Sequence, residues 1–165
     1  MSASFRVCII QDVPDSASQQ QRLLISEAKA NGLALDSTII ELRTPTDKIL
    51  EALSVQPAID WIVVDLLISP IDDHSPMTAA GLNLLRRLCK SGHFHGYKSR
   101  ADAGRQKGVR CIAVYSASLA GYGGVDLQIH EELTNLGISK QHRYVPGEMK
   151  KLAQDICGEL QRPGR

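Results

Sequence analysis

The chain has 165 residues, 43% of them hydrophobic, which suits one globular domain with its own core, and no second output domain is expected. Nineteen basic against eighteen acidic residues leave a net charge of +1, so nucleic acid or a membrane surface would need a local patch to bind. No run of about 18 apolar residues suits a bilayer span, and no basic region followed by a long apolar run opens the chain. The four cysteines, Cys8, Cys89, Cys111 and Cys157, are scattered and read as small hydrophobes in a reducing compartment, so a cytoplasmic protein is expected.

The first predicted strand covers residues 5–11 and runs into Gln11-Asp12-Val13-Pro14-Asp15. Helix one is expected over 16–31, opened by a capping box of Ser16 and Gln19 and closed by Asn31-Gly32. Strand two takes 35–42. Thr44 as N-cap and Pro45 in the first helical position predict helix two, ending near Val55. Strand three spans 59–66 around Ile62-Val63-Val64-Asp65, a run without polar alternation, as expected of a strand covered on both faces.

Helix three is expected over 78–90, with Leu82, Leu85 and Cys89 on one face, and strand four over 109–116. Helix four follows over 125–136, with Ile129, Leu133 and Leu136 at helical spacing. Strand five is short, 142–145, and Pro146-Gly147 leads into a last helix carrying Met149, Leu152, Ala153, Ile156 and Leu160. Five strand-helix alternations predict an α/β protein with a doubly wound, five-stranded parallel sheet.

Two loops exceed the usual length of such connections. Residues 69–77 follow the central strand and hold Asp72, Asp73 and His74, which could overhang its end. Residues 91–108 carry Lys98, Arg100, Arg105 and Lys107 against Asp102. They read as a solvated loop, with a basic contact surface as the alternative. Cys89, His93 and His95 lie near one another there, without a fourth ligand at zinc spacing.

Asp12 and Asp65 each follow an apolar strand, at the carboxyl ends where open α/β sheets place ligand sites. If those strands are neighbours, two like charges share a rim, a situation relieved by a raised pKa or a bound cation. Oxygen ligands completed by water suit Mg²⁺.

The order of elements, the acidic first loop at Gln11-Asp12-Val13-Pro14-Asp15, Ile62-Val63-Val64-Asp65, Ala113-Val114-Tyr115-Ser116-Ala117 and Tyr144-Val145-Pro146 together resemble the receiver domain of two-component response regulators. The resemblance covers nearly the whole chain and implies the flavodoxin-like strand order 2-1-3-4-5. It implies Asp65 as phosphoacceptor, and Asp12, Asp65 and the backbone carbonyl of Leu67 as Mg²⁺ ligands. Ser116 would contact the phosphoryl group, and His142 stands where the family has an aromatic switch residue. Mg²⁺ would shield the negative groups and polarise the transferred phosphoryl.

Departures from the family pattern weigh against efficient chemistry. Gln11 stands where the family has a first-loop acid, which lowers the expected Mg²⁺ affinity to weak or absent. Val145 stands where the family has a lysine, and Lys140 or Arg143 would have to substitute for it from the same short strand. His142 reads either as an exposed strand-end residue or as a ring that swings with some pH sensitivity.

The expected function is therefore an atypical, stand-alone receiver-like domain, a pseudo-receiver, acting in signal transduction through protein–protein contact. Phosphorylation would be lost or inefficient. Its partner would be a histidine kinase, a phosphotransfer protein or a downstream effector, with helices four and five as the contact face, also for a homodimer. The alternative is a working single-domain regulator phosphorylated on Asp65. Catalysis is disfavoured: a haloacid dehalogenase-type phosphatase needs a second acid where Leu67 stands, and no G-x-G-x-x-G follows strand one. Nucleic acid has only the 91–108 loop, with Phe94 and Tyr97 as stacking rings.

Overall fold

The computed structural model describes residues 4–55, 58–66, 80–92, 94, 107–116, 125–143, 145 and 147–162. Its elements in chain order are β1 (Phe5–Gln11), α1 (Pro14–Ala30), β2 (Leu35–Glu41), α2 (Thr46–Leu53) and β3 (Ile59–Val64). The second half adds α3 (Ala80–Lys90), β4 (Val109–Ser116), α4 (Val125–Asn135), β5 (Lys140–Arg143) and α5 (Glu148–Gln161). All five strands are parallel and lie in the order β2-β1-β3-β4-β5, as expected of a doubly wound sheet.

β3 and β4 are buried along their whole length. Alternate side chains of β1 and β3 feed two cores. Ile10, Ile62 and Val64 pack with Ile49, Leu53, Leu84, Leu85 and Leu88 on the α2–α3 face. Val7, Ile9, Trp61 and Val63 pack with Leu24, Met149, Leu152 and Ile156 on the α1–α5 face. Burial on both faces explains why these strands lack polar alternation.

Several expected boundaries shift. α1 starts at Pro14, two residues before Ser16, because proline fixes φ for the first helical position. Val13 then occupies the N-cap without a side-chain bond, and Ser16 lies inside the helix, its hydroxyl accepting from Gln20 Nε2 at 3.1 Å. The Ser16 and Gln19 capping box is thus overturned. So is the cap at Thr44: α2 begins at Thr46 with Pro45 as N-cap, while the Thr44 N–H closes a turn onto Glu41. Leu82 and Leu85 are buried on α3 together with Leu84 and Leu88, whereas Cys89 is half-buried.

β5 lies two residues earlier than expected. Its ladder pairs Ala113 with Lys140 and Ser116 with Arg143, so the strand stops where β4 stops, leaving Val145 beyond it and 37% exposed. The polar residues Lys140, Gln141 and His142 are held by side-chain contacts on both faces. Lys140 and His142 meet α5, and Gln141 meets His130 and Thr134 of α4.

Candidate functional site

The β1–β3 register sets the site. Ile10 lies opposite Val64, and the Asp65 N–H donates to the Ile10 carbonyl at 3.0 Å, so the chain leaves both strands at the same level. Asp12 and Asp65 therefore stand on one carboxyl rim, Asp12 buried and Asp65 half-buried. Ser116, wholly buried at the end of β4, donates its hydroxyl to Asp65 Oδ1 at 2.6 Å. The Leu66 N–H donates to the same oxygen at 2.8 Å. One carboxylate oxygen thus takes two donors, which fixes its orientation.

Gln11 occupies the neighbouring strand end and is buried. Its Oε1 accepts the N–H groups of Asp12 at 2.9 Å and Val13 at 3.4 Å. The amide oxygen is engaged in satisfying the turn that leads into α1, which explains how a neutral side chain is accommodated where a carboxylate was expected. Among the described residues, Asp12 and Asp65 are the buried or half-buried carboxylates this rim offers a hard cation, a set that Mg²⁺ accepts when water or phosphate oxygens complete its shell. Among the described residues no group of three or more His, Cys, Asp or Glu is arranged to share a metal. Leu67, with residues 69–77 and His93 and His95, lies outside the described residues.

Gly81 also belongs to the site. Its N–H and that of Leu82 donate to the Leu66 carbonyl at 3.0 and 3.4 Å, tying the first turn of α3 to the residue after Asp65. A Cβ at Gly81 would fall 1.8 Å from the Asp65 carbonyl oxygen and 2.7 Å from Leu66 Cα. A glycine in the first turn of an otherwise regular amphipathic helix was the available signal, since glycine there costs about 1 kcal/mol relative to alanine.

The remaining expected residues go elsewhere. His142 Nδ1 lies 3.2 Å from Glu148 Oε2 and Nε2 lies 3.8 Å from Asp155 Oδ2, both on α5. Glu148 is held below the usual carboxylate range by its bonds to His142 and then Lys151. Lys140 stands opposite Ala113, three residues before Ser116, or about 10 Å down the sheet. Its amine reaches Asp155 at 3.5 Å, so it points to α5.

No family model and no curated protein sequence matches the chain. Among solved structures it is similar to a response regulator receiver protein from Pseudomonas putida, with 19% identity over 96% of this chain and 99% of that one and a TM-score of 0.55. It is also similar to a flavodoxin-like domain from Synechococcus sp., at 16% identity over 94% and 99% of the two chains and a TM-score of 0.49. A flavodoxin from the domain Archaea gives 10% identity over 96% and 100%, with a TM-score of 0.47. At this identity the likeness is one of fold, and the five-stranded 2-1-3-4-5 sheet is the α/β, flavodoxin-like fold that the chain shares with the receiver protein.

Proposed function

We propose that this chain is an atypical receiver-like signalling module that works through protein–protein contact, with phosphoryl transfer to Asp65 lost or slow. The observation that carries this reading is the charge content of the carboxyl rim among the described residues. Gln11 contributes an amide already engaged by two N–H groups, and Val145, 37% exposed beyond β5, stands at the sequence position where the resemblance implies a lysine. Phosphoryl transfer depends on electrostatic stabilisation more than on any protein nucleophile's strength, so removing one acid and one cation affects rate and product stability together.

Any Mg²⁺ would rest on Asp12 and Asp65 and bind weakly. The Ser116–Asp65 bond keeps the acceptor oxygen occupied at rest. The partner is a signalling protein or a second copy, meeting the face formed by α4 and α5, and no catalytic turnover is assigned. A flavin-type phosphate at the start of α1 is disfavoured: Asp12 and Asp15 repel it, and Pro14 removes one of the N–H groups that bind anions at a helix N-terminus.

The test is incubation with Mg²⁺ and acetyl phosphate, followed by intact mass, with Asp65→Asn as control. The expected result is no adduct, or one far below stoichiometry, on a folded protein. A stoichiometric phosphoryl adduct that the variant lacks would replace this reading with a working phospho-regulator.

A further inference from the structure

The two edges of the sheet are built differently. β5 is four residues long, opens on Lys140, closes on Arg143, and has Gln141 held by α4 and Lys140 and His142 held by α5. β2 runs seven residues, Leu35-Asp36-Ser37-Thr38-Ile39-Ile40-Glu41, with no lysine, arginine, proline or bulge, and pairs with β1 in unbroken register. No strand lies beyond it among the described residues. Proteins blunt exposed edges with short strands, cations, proline or bulges, because a regular edge templates the pairing of another strand. β5 carries two of those devices and β2 none.

The ladder shows what the edge of β2 presents. The Phe5 N–H donates to the Ala34 carbonyl and the Leu42 N–H to the Gln11 carbonyl, so the even-numbered residues of β2 turn their peptide groups toward β1. Residues 35, 37, 39 and 41 turn theirs outward. Gln21 of α1 donates to the outward carbonyl of Ser37 at 3.1 Å, which brings one face of α1 over the edge. Ile25 follows one turn later on that face, level with Leu35, because a crossover helix runs antiparallel to the strand it leads into. Ile25 is 45% exposed, and Ile39, two residues from Ser37 on the same side of the sheet, is 39% exposed.

A second β2, laid antiparallel about a two-fold axis at Ser37, matches this edge residue by residue. Leu35 meets Ile39 of the second copy, Ser37 meets Ser37, and Asp36 meets Thr38, so no acid opposes an acid. The 35–39 and 37–37 pairs are also those whose peptide groups face outward, as antiparallel hydrogen bonding requires. Ile25 then lies beside Ile39 of the second copy, and the symmetry covers both isoleucines twice. This self-complementarity selects a second copy of the chain as the occupant. We propose that the protein dimerises by antiparallel β2–β2 pairing centred on Ser37, which joins two five-stranded sheets into one. The pairing lies at the opposite edge of the sheet from α4 and α5, leaves that face to another protein and does not depend on Asp65.

Sedimentation and light scattering between about 5 and 500 µM read the mass, expected to rise from 18.0 kDa toward twice that value. Ile39→Lys places a charge in the seam at an exposed position and should raise the dissociation constant at least about tenfold. Ser37→Cys, oxidised beside wild type as the blank for native thiols, should give a disulfide-linked dimer, since hydrogen-bonded antiparallel partners stand about 5.5 Å apart between Cα atoms. Ile39→Cys should not, because four strand residues, about 13 Å, separate those two positions. A single-chain mass at every concentration overturns the proposal. A dimer that survives Ile39→Lys, that Ser37→Cys does not link, or that Ile39→Cys links instead, overturns it as well and assigns the second copy to another face or register. The concentration series needs no variant, and far-UV circular dichroism verifies the fold of each substituted chain.

Discussion

Asp65 is positioned by its neighbours' backbone as much as by its own side chain. The Leu66 N–H and the Ser116 hydroxyl converge on one carboxylate oxygen, while Gly81 presses against the peptide that joins Asp65 to Leu66. This gives Gly81→Ala two opposed effects. Alanine improves helix propensity by about 1 kcal/mol. Against that, the new methyl would stand 1.8 Å from a backbone oxygen, which no rotamer change relieves. Overpacking of this kind costs about 1–3 kcal/mol, so the clash wins and net destabilisation is expected. Urea denaturation reads the loss. In the same variant the Asp65–Ser116 contact should be displaced, visible as shifted Ser116 and Leu66 amide resonances. The glycine in the first turn of α3 hinted at a close approach, but its partner could not be read locally, because it depends on how closely α3 approaches β3. Gln11 was legible as a missing charge, but its service to the Asp12 and Val13 N–H groups was not.

Among the elements, α3 and α4 are joined by a paired ion bridge. Arg86 Nε bonds Glu132 Oε1, and Arg86 Nη2 donates to Glu132 Oε2 at 2.8 Å, a fork geometry stronger than a single contact. The Arg86 bond holds the Glu132 carboxyl below its ordinary value of 4.5. A lowered folded-state pKa contributes stability that is present above the unfolded value and lost as pH falls through the folded one. Glu132→Gln should therefore cost about 0.5–1 kcal/mol at neutral pH, a modest figure because both side chains are partly exposed. The difference from wild type should close in acid and shrink in high salt. Urea midpoints at the two pH values check this. The elements themselves were readable where apolar period was strong, as in β3, β4 and α5. β5 was misplaced because its sequence carries no apolar pattern, and its position follows from where β4 ends. The two missed caps differ in kind: Pro14 takes the first helical position two residues ahead of Ser16, whereas Pro45, with ψ 135°, stays extended as the N-cap in place of Thr44.

For the molecule as a whole, the doubly wound plan was legible because strands buried on two faces leave an apolar signature. The same burial governs its alkaline limit. Cys8 and Cys111 lie within central strands and Cys157 on the inner face of α5, all buried. Desolvation of the thiolate pushes these thiols up to about 11, about 12 and about 11, from an ordinary value of 9.0. Between pH 9 and those values the unfolded chain releases protons that the folded chain keeps, so stability is full below about pH 9 and declines as pH rises. At its steepest the decline is about 1.4 kcal/mol per pH unit for each thiol. Lysines and tyrosines titrate in the same range, so the comparison that isolates the thiols is with the triple variant Cys8→Ala, Cys111→Ala, Cys157→Ala. The variant should start less stable, through the small cavities it creates, and lose stability less steeply above pH 9. Parallel declines in wild type and variant would mean that the folded protein does not hold these thiols protonated. Burial along β1, β4 and α5 would then be looser than the sheet's two-faced packing requires.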